Sequence, residues 1–261
     1  MPVLDIASCR AKLARAEVHR HTLHALDRAT FRTEAECPTL GIKLDPGAGE
    51  HVIYVSRMPD YSDVFVQASL ILGDAIHNLR GALDHLIYAL ADWNTAGSIQ
   101  RPDRTQFPIC DSLADFNAAA RRYLREVHSS HIAIIERFQT YHPVDLLPDR
   151  VHPFSLLREL SNTDKHRLLN VVVIPTRAYV MNLDLSHLAE RLGQARLVES
   201  AELGAEVNRY VLRERLPDME VIGHIPASMS LPEIRLPLFF VLRVLEGHVA
   251  EALKPFEPLT R

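Results

Sequence analysis

Lysine is scarce in this 261-residue chain. Only four of its 29 basic residues are lysine, namely Lys12, Lys43, Lys165 and Lys254. The rest are arginine, whose planar guanidinium tolerates burial and forks onto carboxylate or phosphate. Excess charge of one sign is also lacking. A formal net charge of -4 and a pI near 6.4 exclude nucleic-acid binding driven by an overall basic field, though not by a local basic patch. Cysteine is sparse: Cys9, Cys37 and Cys110 are odd in number, widely spaced and form no CxxC pair. That excludes a disulfide scaffold and fits a reducing compartment. Asp5, Arg10, Lys12 and Arg15 interrupt the start of the chain, so a secretory apolar segment is not expected there. No apolar run approaches the length of a membrane span. The expectation is a cytoplasmic protein with no membrane partner.

Motifs of the large enzyme classes are missing too. There is no Walker A loop, GxGxxG, HExxH or GxSxG, which argues against nucleotide-driven motors, Rossmann dehydrogenases and α/β-hydrolases. What remains is an ordinary globular composition, 47% apolar and 24% charged, long enough to bury a sizeable core.

Periodicity sets the expected architecture. Residues 4–36 read as a long helix with apolar positions at Leu13, Ala14, Val18, Leu26 and Ala29, closed by Pro38. Leu40–Leu44 and His51–Val55 flank Asp45-Pro-Gly-Ala-Gly, which predicts a β-hairpin. Residues 62–92 carry Phe65, Ser69, Leu72, Ile76, Leu79, Leu83, Leu86 and Leu90, stepping by four and three. That spacing predicts a bundle helix. Further helices are expected at 112–127, 130–140, 153–167 and 237–254. Strands are expected at Val171–Ile174, Tyr179–Leu185, Val207–Arg213 and Glu220–Ile225. The expected fold class is α+β: one domain, with a helical bundle at about 1–36, 60–168 and 235–261. A β-hairpin and a small antiparallel sheet would be inserted at about 37–58 and 169–232.

Two segments break the pattern. On the 62–92 helix, Gly73, His77, Arg80, Gly81, Asp84 and His85 fall opposite or beside the leucine stripe, with Asn78 close by. A solvated face would carry Glu, Lys and Gln, and each glycine in a helix costs about 0.5–1 kcal/mol against alanine. Close approach by another backbone, a partner subunit or a ligand would offset that cost; so would a second packing face. The second segment is Asn162-Thr-Asp-Lys-His-Arg167. Asp164 follows Leu157 and Leu160 on the apolar stripe, where a carboxylate must find a partner or protonate. Lys165 and Arg167 have a bland reading as cations at a helix C-terminus. Arg80, Asp84 and His85 could meet Asp164, His166 and Arg167 as one buried polar cluster across two packed helices. A metal held by Asp84 or His85 with Asp164 and His166 is the chemical rival. Arg121-Arg-Tyr-Leu-Arg125 could touch phosphate or stack on a base, but also reads as an exposed basic helix face.

Arg80-Gly-Ala-Leu-Asp-His85 resembles the Arg-x(4–6)-His motif of the HEPN superfamily, helical bundles many of which are metal-independent ribonucleases. The resemblance implies a HEPN-like fold and an RNA endonuclease, in a bacterial toxin or phage-defence setting, with no metal and no cofactor. His85 would act as general acid/base on the RNA 2′-hydroxyl and Arg80 would stabilise phosphate charge. Asp84, Asp164, His166 and Arg167 would orient or assist them. His77 and Asn78 would line the cleft, and Asn162 and Lys165 would support it. It also implies RNA as partner and a homodimer formed through the 73–85 helix face. Arg137/His142 and Arg243/His248 share the spacing, and Gly81 stands where HEPN motifs commonly carry Asn, Asp or His. The longer pattern, with Thr105-Gln-Phe-Pro-Ile109 and Asp164-Lys-His-Arg167, is similar to a group of uncharacterised bacterial proteins and implies no activity. The alternative function is a non-catalytic bundle that binds a partner or ligand, with the Arg80/Asp84/His85/Asp164/His166 cluster structural.

Overall fold

The computed structural model describes residues 4–144, 147, 150–175, 189–192, 203–212, 218–225 and 227–260. It is an α+β protein with six α-helices and two antiparallel sheets among these residues. The helices are α1 (Ala7–Thr30), α2 (Ser62–Asn94), α3 (Leu113–Tyr123), α4 (Ser129–Glu136), α5 (Pro153–Asp164) and α6 (Leu238–Leu253). The strands are β1 (Thr39–Asp45), β2 (Glu50–Arg57), β3 (Val172–Pro175), β4 (Ala189–Leu192), β5 (Glu206–Leu212), β6 (Met219–His224) and β7 (Ala227–Ser230). No described helix is long and apolar enough to cross a membrane.

The chain divides into two compact units, and the division runs through α1 and α2. The helical unit comprises residues 1–23, 69–169 and 239–261. Its core is built on α2, where Leu72, Ile76, Leu79, Leu83, Leu86 and Leu90 are fully buried, as the stepping by four and three requires. Ala75, Ala82, Ile87 and Ala91 are buried as well, so α2 is covered on more than one stripe. Each fully buried leucine contributes about 2 kcal/mol of transfer free energy. The helix ends at Asn94 because Ala96 and Gly97 adopt left-handed backbone angles, and the Gly97 N–H bonds the Asp92 carbonyl at 2.9 Å.

The other unit comprises residues 24–68 and 170–238. It holds a five-stranded sheet in the order β4-β5-β2-β1-β6 and a two-stranded sheet of β3 and β7. The expected hairpin is β1–β2, registered from Leu40 opposite Val55 to Asp45 opposite Glu50. Asp45 shapes its turn, because Oδ1 accepts the Gly47 and Ala48 N–H groups at 3.1 and 3.4 Å, and Gly49 takes a φ of 69°. Within this unit Asp27 is buried near the end of α1. Its carboxylate accepts the Met229 N–H at 2.6 Å and the Ser228 hydroxyl at 3.0 Å. Burial pushes the Asp27 carboxyl up from its ordinary value, against the pull of those two donors.

Two expectations about α1 are corrected. The helix stops at Thr30, not Glu36, since Thr33 opens a separate 3-10 turn at Glu34–Glu36. The Glu36 carboxylate accepts both the backbone N–H and the hydroxyl of Thr33, at 2.9 and 2.8 Å, in the manner of a capping box. The buried positions are Cys9, Ala16, Leu23 and Asp27, stepping by seven and then four, whereas Val18 is exposed. Small residues fill the close-packed line, and a count of large apolar residues misplaces the face. The segment Tyr179–Leu185 lies outside the described residues.

Candidate functional site

Every candidate residue of the sequence lies in the helical unit, on α2 or at the end of α5. On α2, Arg80 and Asp84 are one turn apart and form an ion pair, Nη2 to Oδ1, at 2.9 Å. The same Nη2 donates to the Phe107 carbonyl at 2.5 Å, and the same Oδ1 accepts the Phe107 N–H at 2.9 Å. One pair of side chains thus satisfies both backbone groups of Phe107. Arg80 is 13% exposed and Asp84 31%. Burial pushes the Asp84 carboxyl up from its ordinary range, while Arg80, the Phe107 N–H and Lys165 pull it down.

Phe107 belongs to the segment Thr105–Ile109, which runs between the helices without a strand partner. Its polar backbone must therefore be met by side chains. Arg158 of α5 donates to the Ile109 carbonyl at 3.0 Å and pairs with Asp111 at 2.9 Å. Gln139 accepts the Cys110 N–H at 2.9 Å, and the Thr140 hydroxyl donates to the Cys110 carbonyl at 2.7 Å. Arg80 and Asp84 are thus two members of a set of side chains that fastens residues 107–111.

His85 lies about 100° further round the helix than Asp84 and about 140° from Arg80. It opens on a cavity of about 710 Å³ lined also by Asp5, Asp84, Tyr88, Asp92 and Trp93. Arg80 opens instead on a smaller cavity of about 280 Å³, together with Asn162, Lys165, Arg158 and Tyr123. The two members of the Arg-x(4)-His motif therefore line different cavities. Three aspartates make the His85 cavity electronegative, which opposes entry of phosphate.

The remaining candidates separate. Asp164 does reach α2, where it occupies the space above Gly73. A Cβ built on Gly73 would lie within 2.9 Å of the Asp164 carboxyl carbon. Among the described residues the Asp164 side chain makes no hydrogen bond or ion pair. Gly81 faces the aliphatic stem of Lys12, 3.6 Å from a built Cβ. The two helix glycines therefore have partners inside this chain. Asn78 turns back on its own helix and donates to the Asp74 carbonyl at 2.8 Å. His77 is exposed on α2, and His166 and Arg167 are exposed beyond the end of α5. The single polar cluster expected across α2 and α5 is thus two separate contacts, Arg80–Asp84–Phe107 and Gly73–Asp164. Among the described residues no group of three or more His, Cys, Asp or Glu side chains is arranged to hold a metal ion.

The other matches to the motif spacing have different partners. His142 bonds Glu136 at 2.8 Å. His248 is buried against His152 and Phe154, with ring centroids 5.0 and 4.4 Å away. His152 caps α5 through Nδ1, which accepts the Phe154 N–H at 3.0 Å. Burial lowers both imidazoles, His248 to about 4.

Sequence reasoning missed one grouping. Arg101 and Arg104 join Arg121, Arg122 and Arg125 around a groove of about 80 Å³ that also includes Tyr123. Glu126 brings these distant arginines together, since its carboxylate accepts the Gln100 N–H at 3.0 Å and its carbonyl accepts Asn94 Nδ2 at 2.9 Å. The available signal was two short arginine-rich runs flanking one buried-aromatic segment, Phe107–Phe116. Thr105 lines both this groove and the His85 cavity. Compared with protein-family models, curated proteins and solved structures, the chain matches none.

Proposed function

We propose that the protein is a non-catalytic binding protein in which Arg80, Asp84 and Asp164 serve the fold. The observation that supports this reading is the engagement of Arg80. Its guanidinium is held by Asp84 and the Phe107 carbonyl, on the far side of the helix from His85. Both Nη2 hydrogens are thus committed to the fold, and the Nε and Nη1 donors that remain face the smaller cavity, which His85 does not line.

A second reading, a HEPN-like ribonuclease of a toxin or phage-defence system, is favoured by a different observation. His85 lines a cavity large enough for a nucleotide, and that cavity borders the arginine groove at Thr105. In that reading His85 is the catalytic residue that takes the 2′-hydroxyl proton. Arg80 is a positioning residue that acts through Asp84.

The test is RNA cleavage by the purified protein beside Arg80→Ala and His85→Ala, with and without EDTA, with thermal melts of each. The binding reading expects no cleavage, a lowered Tm in Arg80→Ala and an unchanged Tm in His85→Ala. Cleavage that survives EDTA and disappears in folded His85→Ala would overturn it in favour of the ribonuclease.

A further inference from the structure

We infer that the arginine groove is a binding site for the backbone of single-stranded nucleic acid, with Tyr123 as its stacking platform. The inference rests on the binding reading above and names its partner.

Charge is the first argument. The chain as a whole is negative, yet five arginines meet at one shallow groove. Arg101 and Arg104 share one carboxylate, Asp103, at 3.4 and 3.9 Å. Arg121 and Arg125 have no ion-pair partner among the described residues. The one acid lining the groove, Glu126, is occupied by the Gln100 backbone. A bond from a neutral N–H leaves Glu126 charged, so five guanidiniums against Asp103 and Glu126 leave about three positive charges to a polyanion.

Placement is the second argument. A helix C-terminus accounts for cations at Arg121 and Arg122. It does not account for Arg101 and Arg104, which arrive from a different segment and are fastened there by Glu126. The third argument is shape. A space of about 80 Å³ is too small to enclose a nucleotide, so a ligand lies along the rim. There Arg122 already packs its guanidinium over the Tyr123 ring, 5.0 Å from the centroid. Planar cations and an aromatic ring along a basic groove suit splayed bases joined by phosphates. Tyr123 also borders the cavity lined by Lys165 and Arg158, so cations flank the ring on both sides.

The experiment is fluorescence anisotropy with a labelled 12-nucleotide single-stranded RNA, the DNA of the same sequence, its duplex and poly-glutamate. The protein is the full chain carrying His85→Ala, so cleavage cannot obscure binding. Single strands should bind, with a log–log salt slope of about -2, from roughly 0.7 per phosphate contact over about three contacts. That slope weakens binding roughly 16-fold between 50 and 200 mM salt. The triple variant Arg104→Glu/Arg121→Glu/Arg125→Glu, exposed sites that leave the fold intact, should bind at least 30-fold more weakly with a slope near zero. Tyr123→Leu should lose about tenfold at an unchanged slope. Preference for RNA over DNA would assign recognition of the 2′-hydroxyl; equal binding would assign the backbone and bases alone. Equal binding of duplex or of poly-glutamate would overturn the proposal, as would a triple variant that binds like the parent. Cleavage by the parent chain would overturn the non-catalytic reading and not the groove, whereas loss of salt-dependent binding would overturn the groove alone, so the two failures are distinguishable.

Discussion

Asp84 in the helical unit and Asp27 in the sheet-bearing unit are answers to the same problem. Each sits on a long helix and accepts a backbone N–H from a distant segment, Phe107 for Asp84 and Met229 for Asp27. Burial pushes both carboxyls up. They differ in what balances the charge. Asp84 has a guanidinium at 2.9 Å, whereas Asp27 has the Ser228 hydroxyl, and His24 pulls only weakly. The paired site gains from its charge and depends on it. The hydroxyl site depends on an acceptor oxygen, and the charge is a cost to it.

Asparagine and alanine break this comparison most sharply. Asp84→Ala strands Arg80 and the Phe107 N–H together, and should cost about 3–4 kcal/mol in chemical denaturation. Asp84→Asn keeps an acceptor but leaves the guanidinium without its counter-charge, and should cost about 2 kcal/mol. Asp27→Asn keeps the acceptor and removes the buried charge, so it should change stability by less than about 1 kcal/mol. Equal losses in the two asparagine variants would show that Arg80 contributes nothing beyond a hydrogen bond.

The next effect is set by histidine. His152 and His248 are both more than nine-tenths buried, and each has an Nε2 atom without a hydrogen-bond partner. Their folded values lie below the ordinary 6.5 of the unfolded chain, so the unfolded state binds protons first as pH falls. Stability is fully present above pH 6.5 and is lost as pH falls toward the folded value, about 4 for His248. Protonated His152 also cannot accept the Phe154 N–H, which removes the cap of α5. The raised carboxyls Asp27 and Asp84 act with the opposite sign, because protonation relieves their buried charge. Comparing parent and His248→Phe at each pH cancels them. The variant should keep roughly 3 kcal/mol more of its stability between pH 6.5 and 4 than the parent does. Parallel curves would show that His248 is hydrated.

These contacts mark what a sequence can and cannot disclose. The leucine register of α2 and the β1–β2 turn were readable because each is a local pattern: a spacing, or a run of turn residues. Arg80 and Asp84 were readable as unusual, yet their shared partner is a peptide group 27 and 23 residues away, and no periodicity encodes a side chain's bond to a main-chain atom. The α1 face was misplaced for a related reason. Its buried line runs through Cys9 and Ala16, small residues chosen for close packing, while the larger Val18 faces outward. The arginine groove was half readable, since Arg121–Arg125 stood out and Arg101 and Arg104 did not.

Gly73 and Gly81 give the smallest and most discriminating test. Both looked alike in sequence, as glycines on the polar side of α2. At Gly81 a new Cβ meets the flexible stem of Lys12 at an ordinary 3.6 Å. Gly81→Ala should therefore stabilise by about 0.5–1 kcal/mol, the helix-propensity gain. At Gly73 the new methyl collides with the Asp164 carboxylate, whose carbon would lie 2.9 Å from it, so that side chain must shift. Gly73→Ala should forfeit the gain and end near zero or below. Combining it with Asp164→Ala should restore about 0.5–1 kcal/mol relative to Asp164→Ala alone. The same gain in both single variants would mean that Asp164 swings away at no cost. The α2–α5 contact would then owe nothing to the glycine, and the polar face of α2 would again need a partner outside the helix pair to explain it.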